Sequence, residues 1–294
     1  MPNLATIQSG GTVAITLEAD PSQANKDFQY TITGIGSSVV KGGVLSGTVK
    51  LGNDSTAVIN VGTVVTAAQL NTPNETIKVT VGPISTNVGL TEGVQTVTQT
   101  GPVNEGNSFN FTVTTSGIAA GSANGLVQTY TISGPGLAHI PVAERSGTVT
   151  LDNNGVATVT VHTLATLADS GTTSVTITVG NDAPVNVVIN ETAVQTITPS
   201  SGAIQEGAQV VFTIKTTGVA GSAVAGQVEN WTLSGAGASQ INGPLSGTVT
   251  LDSNGSATVT IATNVDGLND GLLKNLIFTL KSGSTTTATG SVDV

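Results

Sequence analysis

Residues 146–161 read SGTVTLDNNGVATVTV, and residues 246–261 read SGTVTLDSNGSATVTI, identical at 13 of 16 positions. A weaker copy, SGTVKLGNDSTAVINV, occupies residues 46–61, so the three copies start 100 residues apart. A fixed period constrains the architecture before any local propensity does, because each period is one structural unit. The shared elements extend beyond this stretch. QYTITG (29–34), QTYTISG (128–134) and ENWTLSG (229–235) precede it, and IKVTVG (77–82), SVTITVG (174–180) and LIFTLKSG (276–283) follow it. A last element closes each copy around 85–91, 185–190 and 285–294. Copies two and three open on VQTVTQTGPVNEGNSFNFTV (94–113) and VQTITPSSGAIQEGAQVVFTI (194–214). Copy one enters late, at SGGTVAITL (9–17), and lacks the leading segment.

Each shared element alternates with a period of two. Phe109, Phe111 and Val113 point one way, with Asn110 and Thr112 opposite; Ala157, Val159 and Val161 repeat the pattern. Such alternation over short runs marks half-buried antiparallel strands. The nearest approach to helical spacing, residues 262–276, is broken by two glycines. Within the repeated stretch, Asp152-Asn153-Asn154-Gly155 reads as a hairpin turn between two strands, and copy three keeps it as Asp252-Ser253-Asn254-Gly255. Copy one has Gly52-Asn53-Asp54-Ser55, where Asn53 or Asp54 is expected to take the left-handed conformation.

Roughly seven strands per copy, with a turn every 8–12 residues, predict an all-β fold of three tandem immunoglobulin-like β-sandwich domains. The expected boundaries give domains 1–92, 93–192 and 193–294. Tyr30, Tyr130 and Trp231 hold equivalent places on one strand and are expected at the centre of each core. Junctions as short as LTEGV and NETAV leave no flexible linker, so the expectation is an elongated rod. At about 3.3 Å per strand residue, each sandwich is roughly 35–40 Å long.

VNEGNSFNFTV (103–113) and IQEGAQVVFTI (204–214), each followed by SGTVTL, a turn and an ATVT strand, resemble Calx-beta and related immunoglobulin-like repeats. The resemblance covers nearly all of copies two and three and part of copy one. It implies the sandwich fold, and such repeats occur in bacterial surface adhesins and in virion proteins of tailed phages. Calcium-binding members carry dense carboxylate clusters in loops at one end, and this chain has none, so calcium does not carry over.

Composition limits the chemistry further. Charged residues are 9% and aromatics 3%, and the formal net charge is −10. With eight Lys and Arg in 294 residues, the chain has no basic patch to neutralise phosphate or to hold an anionic membrane, so neither nucleic acid nor membrane is expected as a partner. There is no cysteine, which excludes disulfides, thiolate metal sites and Cys nucleophiles. Residues 1–20 show neither a basic n-region nor an apolar h-region, so export by the general secretory route is not expected.

Candidate reactive groups are few. His139 and His162 have no partner at ligand spacing and are expected to be structural. Gly34-Ile35-Gly36, Gly134-Pro135-Gly136 and Gly235-Ala236-Gly237 follow strands but precede no helix or lysine, and so read as turns rather than phosphate loops. Glu105 and Glu206 are equivalent, with Ser9 in their place in copy one, and Glu92 and Glu191 lie at the junctions. These carboxylates are expected to accept backbone N–H groups, with a weak calcium site as the alternative. The Asn-x-Ser/Thr triplets at Asn53, Asn74, Asn110, Asn190, Asn230 and Asn254 follow from composition alone.

The expectation is therefore a protein with no catalytic, cofactor or metal site, built as a spacer and located in a phage virion as a capsid decoration or cement protein or a fibre or neck component. Its expected partners are the major capsid protein or other virion proteins, further copies of itself, and host surface glycans. Divergent copy one is the expected docking unit. The alternative is a bacterial cell-surface adhesin or surface-layer module.

Overall fold

The computed structural model describes residues 5–167, 171–265 and 273–294. The helix-like stretch 262–276 lies in part outside them. In copy one the strands are β1 (Ala5–Gln8), β2 (Thr12–Glu18), β3 (Asp27–Thr33), β4 (Ser46–Lys50), β5 (Thr56–Gly62), β6 (Glu75–Val81) and β7 (Ile84–Thr91). Copy two has β8 (Val94–Gln99), β9 (Val103–Asn104), β10 (Ser108–Ser116), β11 (Val127–Ser133), β12 (Ser146–Thr150), β13 (Val156–His162), β14 (Gly171–Val179) and β15 (Val185–Glu191). Copy three has β16 (Val194–Pro199), β17 (Gln209–Thr217), β18 (Val228–Ser234), β19 (Ser246–Thr250), β20 (Ser256–Ala262), β21 (Asn275–Ser282) and β22 (Thr285–Asp293).

The fold is all-β, and each copy makes two sheets. In copy two these are β13-β10-β8 and β12-β11-β14-β15-β9; in copy three, β16-β17-β20 and β19-β18-β21-β22; in copy one, β2-β5 and β1-β7-β6-β3-β4. No sheet draws strands from two copies. Among the described residues pairing is antiparallel except where β1 joins β7, where β9 joins β15 and at the single bridge between Ala203 and Asp293. Inward residues of the facing sheets interleave as β-sandwiches do, with Phe111 and Tyr130 edge-to-face at 5.2 Å in copy two. In copy three, Phe212 and Trp231 flank Phe278 at 4.7 and 5.7 Å.

The repeated stretch is not a hairpin. β12 pairs with β11 and β13 with β10, in opposite sheets, and β19 and β20 divide in the same way. The turn carries the chain across the core. Asp152 Oδ1 accepts the N–H groups of Asn154 at 2.8 Å and Val156 at 2.9 Å, and Gly155 takes φ 74°. In copy one Ser55, not Asn53 or Asp54, takes the positive φ, at 60°. It does so because Ser55 occupies the place of Gly155, donating its N–H to the carbonyl of Gly52 at 3.0 Å.

The invariant Ser-Gly-Thr has a packing cause. Gly47, Gly147 and Gly247 stand directly opposite Tyr30, Tyr130 and Trp231 in the ladder. Each aromatic ring lies over its glycine, and a Cβ on Gly247 would fall 2.7 Å from the Trp231 ring. Tyr130 and Trp231 are buried, as expected; Tyr30 is only half-buried, because copy one has the smaller Ile15 where copy two has Phe111. Replacing Gly247 by Ala forces the indole to shift. We expect it to destabilise copy three by roughly 1–3 kcal/mol, read as a lower denaturant midpoint with loss of Trp231 fluorescence.

Candidate functional site: buried carboxylates at the junctions

The chain's polar chemistry collects where one sandwich meets the next. Glu105 follows β9 and is fully buried. Its Oε1 accepts the N–H groups of Thr192 and Ala193, each at 2.7 Å, and its Oε2 accepts that of Thr166 at 2.8 Å. Thr192 and Ala193 are the connection between β15 and β16, so one carboxylate from copy two holds the chain as it passes into copy three. Thr192 Oγ1 then donates to the Gly218 carbonyl at 2.9 Å, and Gln227 Nε2 to that of Ala165 at 3.0 Å. Ala165 and Leu167 complete the contact by packing into the core of copy three.

His139 belongs to the same cluster, which sequence spacing did not reveal. Each Gly-x-Gly stretch leads into a five-residue 3-10 helix rather than a plain turn, and His139 ends the one at Pro135–His139. That helix turns the imidazole inward, where it is buried. Nδ1 lies 3.2 Å from the Leu164 carbonyl and 4.0 Å from Glu105 Oε2, and Nε2 lies 3.3 Å from Glu191 Oε1. Both ring nitrogens thus face acceptors. His162 pairs on the surface with Glu144, which takes its backbone N–H at 2.7 Å and meets its Nδ1 at 2.9 Å.

The junction between copies one and two uses other residues in the same places. Ser9 replaces Glu105, and its carbonyl accepts the Ala119 N–H at 3.0 Å. Ser122 Oγ donates to the Gly10 carbonyl at 3.3 Å. Asn71, after copy one's β5, donates to the Gln95 carbonyl at 3.1 Å and to Asp182, while Gln95 Nε2 reaches Asp182 Oδ2 at 2.6 Å. Asp182 is buried, and that burial raises its pKa above 3.8 against the opposing bonds from Gln95 and Asn71.

Two further carboxylates are buried. Burial, then the Glu75 charge, push Glu92 above its ordinary 4.5; the neighbouring Ser9 hydroxyl opposes this weakly. Neither Glu92 oxygen nor Glu75 Oε2 has a hydrogen-bond partner of good geometry. Glu229 in copy three accepts from Gln195 Nε2 at 2.7 Å, and burial raises its pKa. Glu206, the sequence equivalent of Glu105, is exposed and accepts no backbone N–H among the described residues. Among the described residues, no group of three or more His, Asp or Glu is arranged to hold a metal ion.

The chain matches no known protein family and no curated protein. Among solved structures it is similar to the mouse nectin-like molecule 4 ectodomain, at 13% identity over 99% of this chain and 96% of that one, with TM-score 0.29. It is similar to CBD12 from CALX1.2 at 9% identity over 63% and 79% of the two chains, TM-score 0.26. A Salmonella alpha-2-macroglobulin matches at 12% identity and TM-score 0.26 over 99% of this chain, which spans 22% of that protein's length. Likenesses this distant carry nothing about activity or partners.

Glu105→Ala would strand three buried N–H groups. We expect a loss of about 3 kcal/mol and looser coupling of copies two and three, whereas Glu206→Ala should change stability by less than about 0.5 kcal/mol. Equal effects in chemical denaturation would show that the motif acts within one sandwich and not between two.

The pH response follows from the shifted groups. Raised values in the folded state mean that Glu92, Asp182 and Glu229 hold protons more tightly when folded. Their contribution to stability therefore grows as pH falls from neutral through the raised values, and levels off below the ordinary 4.5 and 3.8. Asp20, Asp54 and Asp152 are lowered by the backbone N–H groups of Ser22, Thr56 and Val156; their contribution is full above 3.8 and is lost as pH falls through the folded values. Thermal midpoints should peak on the acid side of neutrality. Glu229→Gln should raise the midpoint at neutral pH and shrink the rise on acidification, and a flat profile in both proteins would contradict this.

Proposed function

We propose that the chain is a non-catalytic structural protein of a phage virion, a capsid decoration or cement protein or a fibre or neck component, in which repeated sandwiches serve as a rod-like spacer. The observation that carries this reading is the use of the buried polar groups. Glu105 is saturated by backbone N–H groups, and Ser9, Asn71 and Asp182 are likewise engaged across a junction, so these groups join sandwich to sandwich instead of facing a substrate. Joined sandwiches make a stiff, protease-resistant spacer whose loops and edges remain available for contact. A fold that needs no disulfide suits the reducing cytoplasm in which such particles are built.

In this reading copy one docks on the major capsid protein or another virion protein, and copies two and three project, presenting surfaces for self-association or for host glycans. Deleting residues 1–92 should abolish particle association, and retained binding would reject copy one as the docking unit. Quantitative proteomics of purified particles should find the protein at a fixed ratio to the major shell protein. Hundreds of copies would mean decoration or cement, and a few to a few tens a fibre or neck. Absence from particles with recovery in the cell-surface fraction would favour a bacterial adhesin or surface-layer module.

A further inference from the structure

Among the buried polar atoms without a hydrogen-bond partner, four share one slot in two sandwiches. They are Gln95 Oε1 and Thr115 Oγ1 in copy two, and Gln195 Oε1 and Glu229 Oε2 in copy three. In each copy the glutamine and a threonine stand directly opposite each other on neighbouring strands: Gln95 and Thr115 on β8 and β10, Gln195 and Thr216 on β16 and β17. All point into the protein: Gln195 is 7% exposed, Thr216 4% and Glu229 0%. Buried polar groups normally find partners, so orphans that recur at one register have a cause.

In copy three the slot brings a nucleophile, an acyl group and an acid together. Gln195 Nε2 lies 3.3 Å from Thr216 Oγ1 and 2.7 Å from Glu229 Oε1, donating to both. Among the described residues the Thr216 hydroxyl itself donates to nothing. Burial raises the pKa of Glu229 above its ordinary 4.5, against the opposing bond from Gln195. The two orphans of this slot belong to the same pair of groups, the Glu229 carboxyl and the Gln195 amide. One proton on Glu229 Oε2, donated to Gln195 Oε1, would satisfy both and draw electrons from the amide carbon. The slot is also closed over. Thr216 donates its N–H to the Gly255 carbonyl at 2.9 Å, and a Cβ on Gly255 would stand 3.4 Å from Thr216 Cβ and 3.1 Å from fully buried Val224.

We propose that copy three forms an internal ester between the Thr216 hydroxyl and the Gln195 side chain, made by the folded protein on itself with Glu229 as the acid. Thr216 Oγ1 attacks Gln195 Cδ, and the Oγ1–Cδ bond forms as the carbonyl opens and takes up the Glu229 proton. The proton of the attacking hydroxyl passes to Nε2. The Cδ–Nε2 bond then breaks, ammonia leaves, and the carbonyl re-forms as its proton returns to Glu229. The step is a condensation, with no change of oxidation state and no co-reactant. The nitrogen that leaves is 3.3 Å from the oxygen that replaces it, so turning the amide brings its carbon into reach. Ammonia escapes to solvent, and the closed slot keeps out the water that would hydrolyse the ester. The product ties β16, which the chain enters straight from the Thr192–Ala193 connection, to β17, so that load arriving through the junction is carried by a covalent bond. Copy two holds the same pair in an unreactive arrangement. Gln95 Nε2 turns to Asp182 Oδ2 at 2.6 Å, Thr115 Oγ1 is left without a partner, and Gln128 stands where copy three has Glu229.

The test is mass spectrometry of the full 294-residue chain, intact and after unfolding and trypsin digestion. No Lys or Arg lies between Arg145 and Lys215 or between Lys215 and Lys274, so Gln195 and Thr216 fall in different peptides, 146–215 and 216–274. We expect the intact chain to be lighter than its sequence by one ammonia, and the two peptides to run as one species that hydroxylamine separates. Ring closure at Asn154-Gly155 or Asn254-Gly255 loses the same mass but leaves the peptides apart. Peptide 79–145, which holds Gln95 and Thr115, should keep its full mass. Thr216→Val should abolish the joined species, Thr216→Ser should retain it, and Glu229→Gln should lower its yield by about tenfold or more. Separate peptides at full mass from the folded wild-type chain would overturn the proposal, as would a joined species that survives Thr216→Val. A joined species undiminished in Glu229→Gln would overturn the role of that acid. The thermal midpoint of Glu229→Gln is compared with that of Thr216→Val, which also lacks the ester, so that titration and cross-link are read separately. No readout involves particles, so this proposal and the virion reading fail independently.

Discussion

Everything in each sandwich depends on moving the chain from one sheet to the other without leaving a backbone group unpaired. The Asp-x-Asn-Gly turn does this in copies two and three. The Asp152 carboxylate replaces two ladder partners at once by accepting from Asn154 and Val156, and Gly155 supplies the positive φ that reverses the chain. Gly155 also gives its carbonyl to the Thr115 N–H at 2.8 Å, which ties the turn to the end of β10. Leu151, immediately before the turn, is 1% exposed and plugs the core at the crossing. Because the turn brings β12 and β13 to opposite sheets, both can present their apolar faces to each other, and the core between them follows.

The junctions extend the same principle to the contact between sandwiches. A short connection buried between two cores carries backbone N–H groups that no ladder can satisfy. At the second junction Glu105 satisfies three of them with one side chain, and the charge that it buries lies next to His139 and Glu191. At the first, Asn71 and Asp182 do comparable work with neutral and charged groups from the two copies. A charge buried in such a place is stabilised only while all its partners remain. The orientation of one sandwich on the next is thereby coupled to the folding of both.

Copy one diverges from its siblings in a coherent way. It has Ser9 for Glu105, Ser55 for Gly155 and Phe28 for Glu229.

The amino-acid order alone determined the threefold repeat, the strand-forming alternation, the bulky core position shared by Tyr130 and Trp231, and the absence of cysteine. These are local or periodic properties, readable because side chains on a strand alternate faces and because copies can be compared. Only the tertiary structure decided which strands pair. Asp152–Gly155 looks the same in sequence whether its flanking strands bond each other or separate into two sheets, since the turn chemistry is identical. Likewise, Glu105 and Glu206 are equivalent letters, and His139 is 34 residues from one of its carboxylate partners and 52 from the other. What sets Glu105 apart is the sandwich stacked against it, and burial by a neighbouring unit leaves no mark in the sequence around the buried residue.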